Sequence, residues 1–264
     1  MNAKTTKILP WVTTPILLIV IIAVWQVIVT AFNVNALVFP SPGAVGESML
    51  RLLGTSELWV NAGYTALETV VGFLIAVVVG VILGVVLGKM FWLEVSLRPF
   101  IIVTQVVPKV AFIPLFVMWF GFGMNSKIVL AFILAFFPVM MNVLLGVRSV
   151  EQGHREVLKS LGASRWQTFT QMEVRSLMPY LFAGMEVAIV LATIGAIVAE
   201  YMSGTTGLGF MLISSLNGGD AAGMFAIIVF LSILGLVLYF LVSGSKRFVI
   251  PWHESVYGQQ VQGV

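Results

Sequence analysis

The sequence contains no cysteine and only two histidines. No disulfide, thiolate metal site or cysteine nucleophile is available to such a chain. His154 and His253 stand apart, and with scattered carboxylates they form no metal constellation. Charge is equally scarce. Only 9% of the 264 residues are charged, against about 25% in a soluble globular domain, too few to cover a water-facing surface. What is present instead is hydrocarbon, with 59% hydrophobic residues and a mean hydropathy of +1.06. Lipid is therefore the solvent for most of this chain. At roughly 20 residues per span, the length allows about six spans with their loops. The net charge of +3 reads as basic residues gathered in cytoplasmic loops rather than as a nucleic-acid surface.

A first apolar run covers Trp11–Phe32, preceded by Lys4 and Lys7. A cleaved signal peptide has an apolar core of about 7–15 residues and a small-x-small cleavage site. This run is longer and ends in Phe32-Asn33-Val34-Asn35, so a retained helix is expected. Further runs follow at roughly Thr65–Leu87, Pro99–Phe120, Ile128–Val147, Leu181–Met202 and Met224–Ser243. The fold class expected is an all-α polytopic membrane protein with six spans. With the N-terminus inside, eleven lysines and arginines fall on the cytoplasmic side and two, Arg51 and Lys127, outside. That bias places both termini in the cytoplasm. The chain divides into an N-terminal tail and first span (1–33), an external segment (34–60), a five-helix core (61–244) with a cytoplasmic loop at 148–180, and a cytoplasmic tail (245–264). In the external segment, Ser41 is placed to cap a short interfacial helix whose first residue is Pro42.

Gly80, Gly84 and Gly88 recur every four residues in the second span, a smooth stripe that lets membrane helices approach closely. Gly84 through Lys89 superficially resembles a phosphate-binding loop. That motif needs four residues between its glycines and Ser or Thr after its lysine, whereas this chain has three, and Met90 follows. Any ATP chemistry must therefore sit on another polypeptide. Pro108 and Pro114 in the third span and Pro138 in the fourth are expected to bend their helices, as suits a gated pathway; prolines simply tolerated in a packed bundle are the alternative. Trp119-Phe120-Gly121-Phe122-Gly123 reads as a tight external turn.

One long polar stretch, Arg148 to Pro179, falls between the fourth and fifth spans. Val150–Leu161 is patterned as one amphipathic helix, Gly162 breaks it, and Ser164 is placed to cap a second helix through Trp166, Phe169 and Met172. Such an elbow suits docking into a groove of a soluble partner; a loop lying on lipid headgroups is the alternative. The run Glu156-Val157-Leu158-Lys159-Ser160-Leu161-Gly162-Ala163-Ser164-Arg165-Trp166, with Pro179 beyond, resembles the EAA loop of binding-protein-dependent ABC permeases. Glu156 and Gly162 match at the family spacing, while Val157 and Leu158 replace the two alanines and Val174-Arg175 the usual Leu-Pro. Phe39-Pro40-Ser41-Pro42, Pro108 through Leu115, Trp119 through Gly123, Phe136 through Val139 and Gly207-Leu208-Gly209 extend the resemblance to the nitrate/sulfonate/taurine branch.

The resemblance implies a permease subunit of an ATP-driven importer. It implies a dimer of permease copies, a cytosolic ABC ATPase dimer held through the elbow, and a periplasmic or lipid-anchored binding protein delivering the solute. It implies no hydrolytic chemistry and no cofactor on this chain, with ATP and Mg on the partner ATPase. Coupling residues would be Glu156, Gly162, Ala163, Ser164 and Arg165. Relatives of this branch handle nitrate, bicarbonate, sulfonates, aromatic acids and vitamin precursors such as pyrimidines or riboflavin, so the solute is expected to be small and anionic or heterocyclic.

Ionisable groups at membrane depth are functional candidates. Lys109 and Glu200, with Gln105 and Asn142, are the candidates for the substrate pathway; a lysine stem reaching the surface and interhelical hydrogen bonding by the amides are the plainer alternatives. Glu68, Glu186 and Glu200 lie near span boundaries, where interfacial exposure is the plainer reading. An ion-coupled secondary transporter is the rival function. It calls for internal repeats or paired buried carboxylates, and neither is legible in the sequence.

Overall fold

The computed structural model describes residues 3–149, 153, 156, 158 and 160–252. Its described residues are almost entirely helical. Five helices are long and apolar enough to cross a membrane, and a bent helix pair makes a sixth span if its two parts count as one. In order, α1 is Ala3–Ala31, α2 Pro42–Leu53, α3 Ser56–Lys89, α4 Phe91–Val106, α5 Ile113–Phe120 and α6 Met124–Arg148. Arg165–Thr168, a π-helical turn at Phe169–Glu173 and Val174–Ser203 follow one another without interruption, together α7. Then come α8, Leu208–Asn217, and α9, Ala221–Val249.

The core is α3, α6 and α7, and small residues set how closely they pack. A Cβ on Gly72 would meet Ala131, on Gly80 Val139, on Gly84 Val143 and on Gly88 Val147. All four pairs share one offset, 59 residues, so α3 and α6 run parallel in fixed register. On α7 the order reverses: Gly184 lies against Asn142 and Pro138, and Gly195 against Ala131, so α7 is antiparallel to both. Ala135, Val139, Ala188, Ala192 and Ala196 are fully or almost fully buried in the seam. Without a hydrophobic drive between helices in lipid, this close backbone contact is the main source of association. Gly84→Leu is therefore expected to destabilise the bundle by about 1–3 kcal/mol or more, because its Cβ would lie 2.7 Å from the Met140 carbonyl oxygen. Gly63→Ala on the same helix meets nothing within 4 Å and should leave thermal stability in detergent unchanged or slightly raised.

The third span departs from the expected single bent helix. It breaks, and α4 and the segment Lys109–Phe120 meet at 81°. Proline forces the residue before it out of helical geometry, and Val107 is extended at φ −62°, ψ 128°. Pro114 bends nothing: it sits in the first turn of α5, where its missing N–H is not needed. The second elbow helix is likewise not separate from the fifth span, since α7 carries it through the π turn into the bundle. The helix α8 was not expected. At ten residues it is too short to span, and it docks on α7 and α9 through Leu208 and Met211.

α1 stands outside the bundle with its apolar side chains Ile16 to Val24 largely exposed. Trp25 tethers it, its indole N–H donating to the Pro40 carbonyl at 3.1 Å and its ring lying 5.5 Å from Phe39 and 5.9 Å from Phe225. Ser41 caps α2 as expected, its hydroxyl accepting from the Ala44 N–H.

Candidate functional site

The elbow and a buried polar cluster occupy opposite ends of the bundle. α3 has 34 residues, about 50 Å at 1.5 Å per residue; its last residue, Lys89, reaches the elbow, and its first turns reach the cluster. At the elbow, Gly162 adopts φ +74°, and the Ala163 N–H donates to the Leu158 carbonyl at 3.0 Å. A left-handed glycine followed by that bond is a Schellman-type helix end. One residue later a new helix starts with a reciprocal cap: the Gln167 N–H donates to Ser164 Oγ at 3.2 Å, and the Ser164 N–H donates to Gln167 Oε1 at 2.8 Å. Two helix ends thus stand back to back around Ala163, which makes the corner rigid rather than loose. Leu161 and Trp166 flank it, 76% and 70% exposed. Lys89 anchors the elbow to α3, paired with Glu173 at 2.9 Å and lying 5.0 Å over the Phe169 ring. That helical lysine is the one in the phosphate-loop look-alike.

Of the coupling residues expected from sequence, Gly162, Ala163 and Ser164 come together at this corner. Glu156 is exposed on the preceding helix, its carbonyl accepting from Ser160 Oγ at 2.5 Å. Arg165 opens α7, and its side chain lies outside the described residues, as does most of the helix expected at Val150–Leu161.

At the other end, Glu200 is completely buried rather than interfacial. Its carboxylate accepts from Thr65 Oγ1 at 2.7 Å and from the Gly209 N–H at 2.7 Å. Thr65 Oγ1 in turn accepts from the Leu208 N–H at 2.9 Å, and Asn61 Oδ1 from the Gly207 N–H at 2.6 Å. Three successive backbone N–H groups at the start of α8 are therefore held by side chains of α3 and α7. Beside them Lys127, 1% exposed, donates to the Thr206 carbonyl at 3.0 Å and hydroxyl at 3.1 Å. It also faces the buried Glu68 carboxylate at 3.2 Å, and Glu68 neighbours Glu200. Lys127, read from sequence as an external loop charge, and Glu68, read as interfacial, are instead an enclosed pair. Breaking a buried pair costs about 3–5 kcal/mol. Asn61, Thr65 and Glu68 were missed as a set, although their spacing of four and three residues marks one face of α3.

The remaining pathway candidates separate. Lys109 lies in the break of the third span, its ammonium 5.2 Å over the Phe137 ring and 3.4 Å from the Gln105 carbonyl; Gln105 itself is exposed. A cavity of about 400 Å³ opens beside Lys109, between the α4–α5 break and α6. Asn142 donates to the Pro138 carbonyl at 2.9 Å and packs against Gly184, in the helix seam. Glu186 pairs with Lys246 at 2.7 Å, joining α7 to α9. Among the described residues, no cluster of three or more His, Asp or Glu is placed to hold a metal.

A double-capped elbow at one end of a bundle whose helices are long and apolar enough to cross a membrane fits a membrane permease. Known proteins agree. Residues 76–251 match the family described as binding-protein-dependent transport system inner membrane component. The riboflavin transport system permease protein RibX of Chloroflexus aurantiacus is 34% identical over 91% of this chain and 90% of its own. The formylaminopyrimidine transport permease protein ThiX of Halalkalibacterium halodurans is 31% identical over 72% of each chain. The taurine transport system permease protein TauC of Escherichia coli is 29% identical over 90% of this chain and 89% of its own. A solved structure of the MetNI methionine ABC transporter, inward facing, shares the fold, with a TM-score of 0.58 at 21% identity, covering 76% of this chain and 97% of that one. The chain belongs to the family of binding-protein-dependent transport system inner membrane components, the multi-pass permease subunits of ABC importers for small solutes.

Proposed function

We propose that this permease works as one of two identical copies, with both termini in the cytoplasm, and passes a small anionic or heterocyclic solute handed over by an external binding protein. The elbow docks into a groove of a cytosolic ATPase, which supplies ATP and Mg, and α7 carries the ATPase's closure across the bilayer. The carrying observation is that α7 is a single helix from Trp166 at the elbow to Ser203 beside the polar cluster. A continuous helix with one end at each site is the kind of connection that coupling between them uses. The exposed pair Leu161 and Trp166 supplies apolar anchors for docking, and large aromatic anchors carry a disproportionate share of interface energy. The eleven-to-two basic bias supports the orientation, and the riboflavin and formylaminopyrimidine permeases among the relatives support the heterocyclic alternative.

Co-expression of the tagged permease with its ATPase and binding protein tests this reading. The ATPase should co-purify, and Trp166→Asp should lower its retention about tenfold or more, the scale of losing one anchor residue. Solute uptake by liposomes containing the permease without any ATPase would refute it and favour the ion-coupled alternative.

A further inference from the structure

The break in the third span does more than shorten two helices. It leaves Lys109 beside a cavity lined by the rings of Phe112, Phe116, Trp119 and Phe137, by the aliphatic Val107, Leu115 and Ile133, and by Thr104 as a further polar side chain. Phe112 and Phe116 stack with their centroids 6.2 Å apart, and Phe116 and Trp119 are 6.3 Å apart at 54°. The volume, about 400 Å³, lies in the range of about 300–1,000 Å³ typical of small-molecule sites. No ion-pair partner for Lys109 is present among the described residues, where its neighbours are the Gln105 carbonyl and the Phe137 ring. Every other lysine whose side chain is described, Lys89, Lys127 and Lys246, is paired with a carboxylate. Lys109 is half-exposed and has no carboxylate partner among the described residues, so its charge is available to a negative group entering the cavity.

We propose that this cavity is a transit site on the permease itself for planar, conjugated, negatively charged solutes. The rings offer flat faces for stacking, and Lys109 supplies the charge that orients the solute. Discontinuous helices are where transporters place such sites, because the unwound backbone there lines a cavity rather than meeting lipid. A purely aliphatic solute would leave the ring faces unstacked, and a neutral one would leave the Lys109 charge unmatched. The inference rests on the importer reading and sharpens its substrate class. The binding protein selects first, and this site discriminates again in the membrane.

The test uses the complete transporter, permease with its ATPase, in lipid nanodiscs. The probes are 2-naphthoate, cyclohexanecarboxylate with the same charge but no π face, and 2-naphthylmethanol with the rings but no charge. Titration calorimetry should show 2-naphthoate binding at least about tenfold more tightly than either control. Lys109→Met should remove the preference for 2-naphthoate over 2-naphthylmethanol. Phe137→Leu should weaken 2-naphthoate and leave cyclohexanecarboxylate unchanged. Equal binding of all three probes, or affinities indifferent to both variants, would overturn the proposal and assign the cavity to a lipid chain or the second permease copy. Retention of the ATPase in the same preparation reports separately on the importer reading, so the two failures are distinguishable.

Discussion

Gly207→Ala is expected to leave the membrane nearly empty of folded permease. Gly207 sits at φ +102°, ψ 164°, a region open essentially to glycine alone, where any other residue costs about 1–3 kcal/mol. Space is as restrictive as conformation. A Cβ there would lie 2.0 Å from Glu200 Oε1 and 2.1 Å from its carboxyl carbon. Glu200 cannot give way cheaply, because its two oxygens are committed to Thr65 and Gly209. Displacing it strands buried hydrogen-bonding groups, at about 1–3 kcal/mol each. Fluorescence-detected size exclusion of the tagged protein should show loss of the folded peak. A normal peak and melting temperature would mean that the polar cluster is dispensable to the fold. Thr65→Val offers a milder companion: it removes the hydroxyl that links Glu200 to the Leu208 N–H and should lower stability without abolishing the fold.

Gly162→Val should have the opposite signature, a folded permease that no longer answers to its ATPase. Nothing lies within 4 Å of a Cβ built on Gly162, so the substitution meets no neighbour and the bundle is undisturbed. What it cannot do is adopt φ +74° without about 1–2 kcal/mol of strain, and a β-branched residue suffers most there. The corner then reopens, Leu161 and Trp166 lose their fixed relation, and solute-stimulated ATP hydrolysis in the reconstituted transporter should fall about tenfold or more while size exclusion stays normal. Gly162→Asn is the control. Asparagine tolerates the left-handed region, so most of the coupling should return. Coupled hydrolysis that survives in the valine variant would place docking elsewhere on the chain.

The contrast between these glycines also marks how far residue patterns reach. Gly162 was legible from its neighbours alone: a polar amphipathic stretch ends there, and Ser164 follows as a cap, all within fifteen residues. The capping pair Ser164 and Gln167 is likewise local chemistry. Gly207 carries no such signal. Its requirement comes from Glu200, which is fixed by the nearby Gly209 N–H and by Thr65, 135 residues away in sequence. Lys127 shows the same limit. Read along the chain it counts as one of two external charges, but in the fold it is sealed between Glu68 and Thr206.

By itself the sequence determined what depends on composition and short-range periodicity. The scarcity of charge requires lipid around the chain, the apolar runs set the spans, the glycine stripe set which face of α3 is smooth, and the elbow's glycine and serine set its corner. Only the tertiary structure decided what depends on elements distant in sequence. It placed an 81° break at Pro108 of the third span beside an aromatic cavity, and it ran the elbow directly into α7. It also closed Asn61, Thr65, Glu68, Lys127 and Glu200 around the start of α8. The physical reason is that helix-forming bonds connect residues four apart. A buried polar group instead takes whichever partner the packing of the bundle brings within about 3 Å, and no local pattern records that partner.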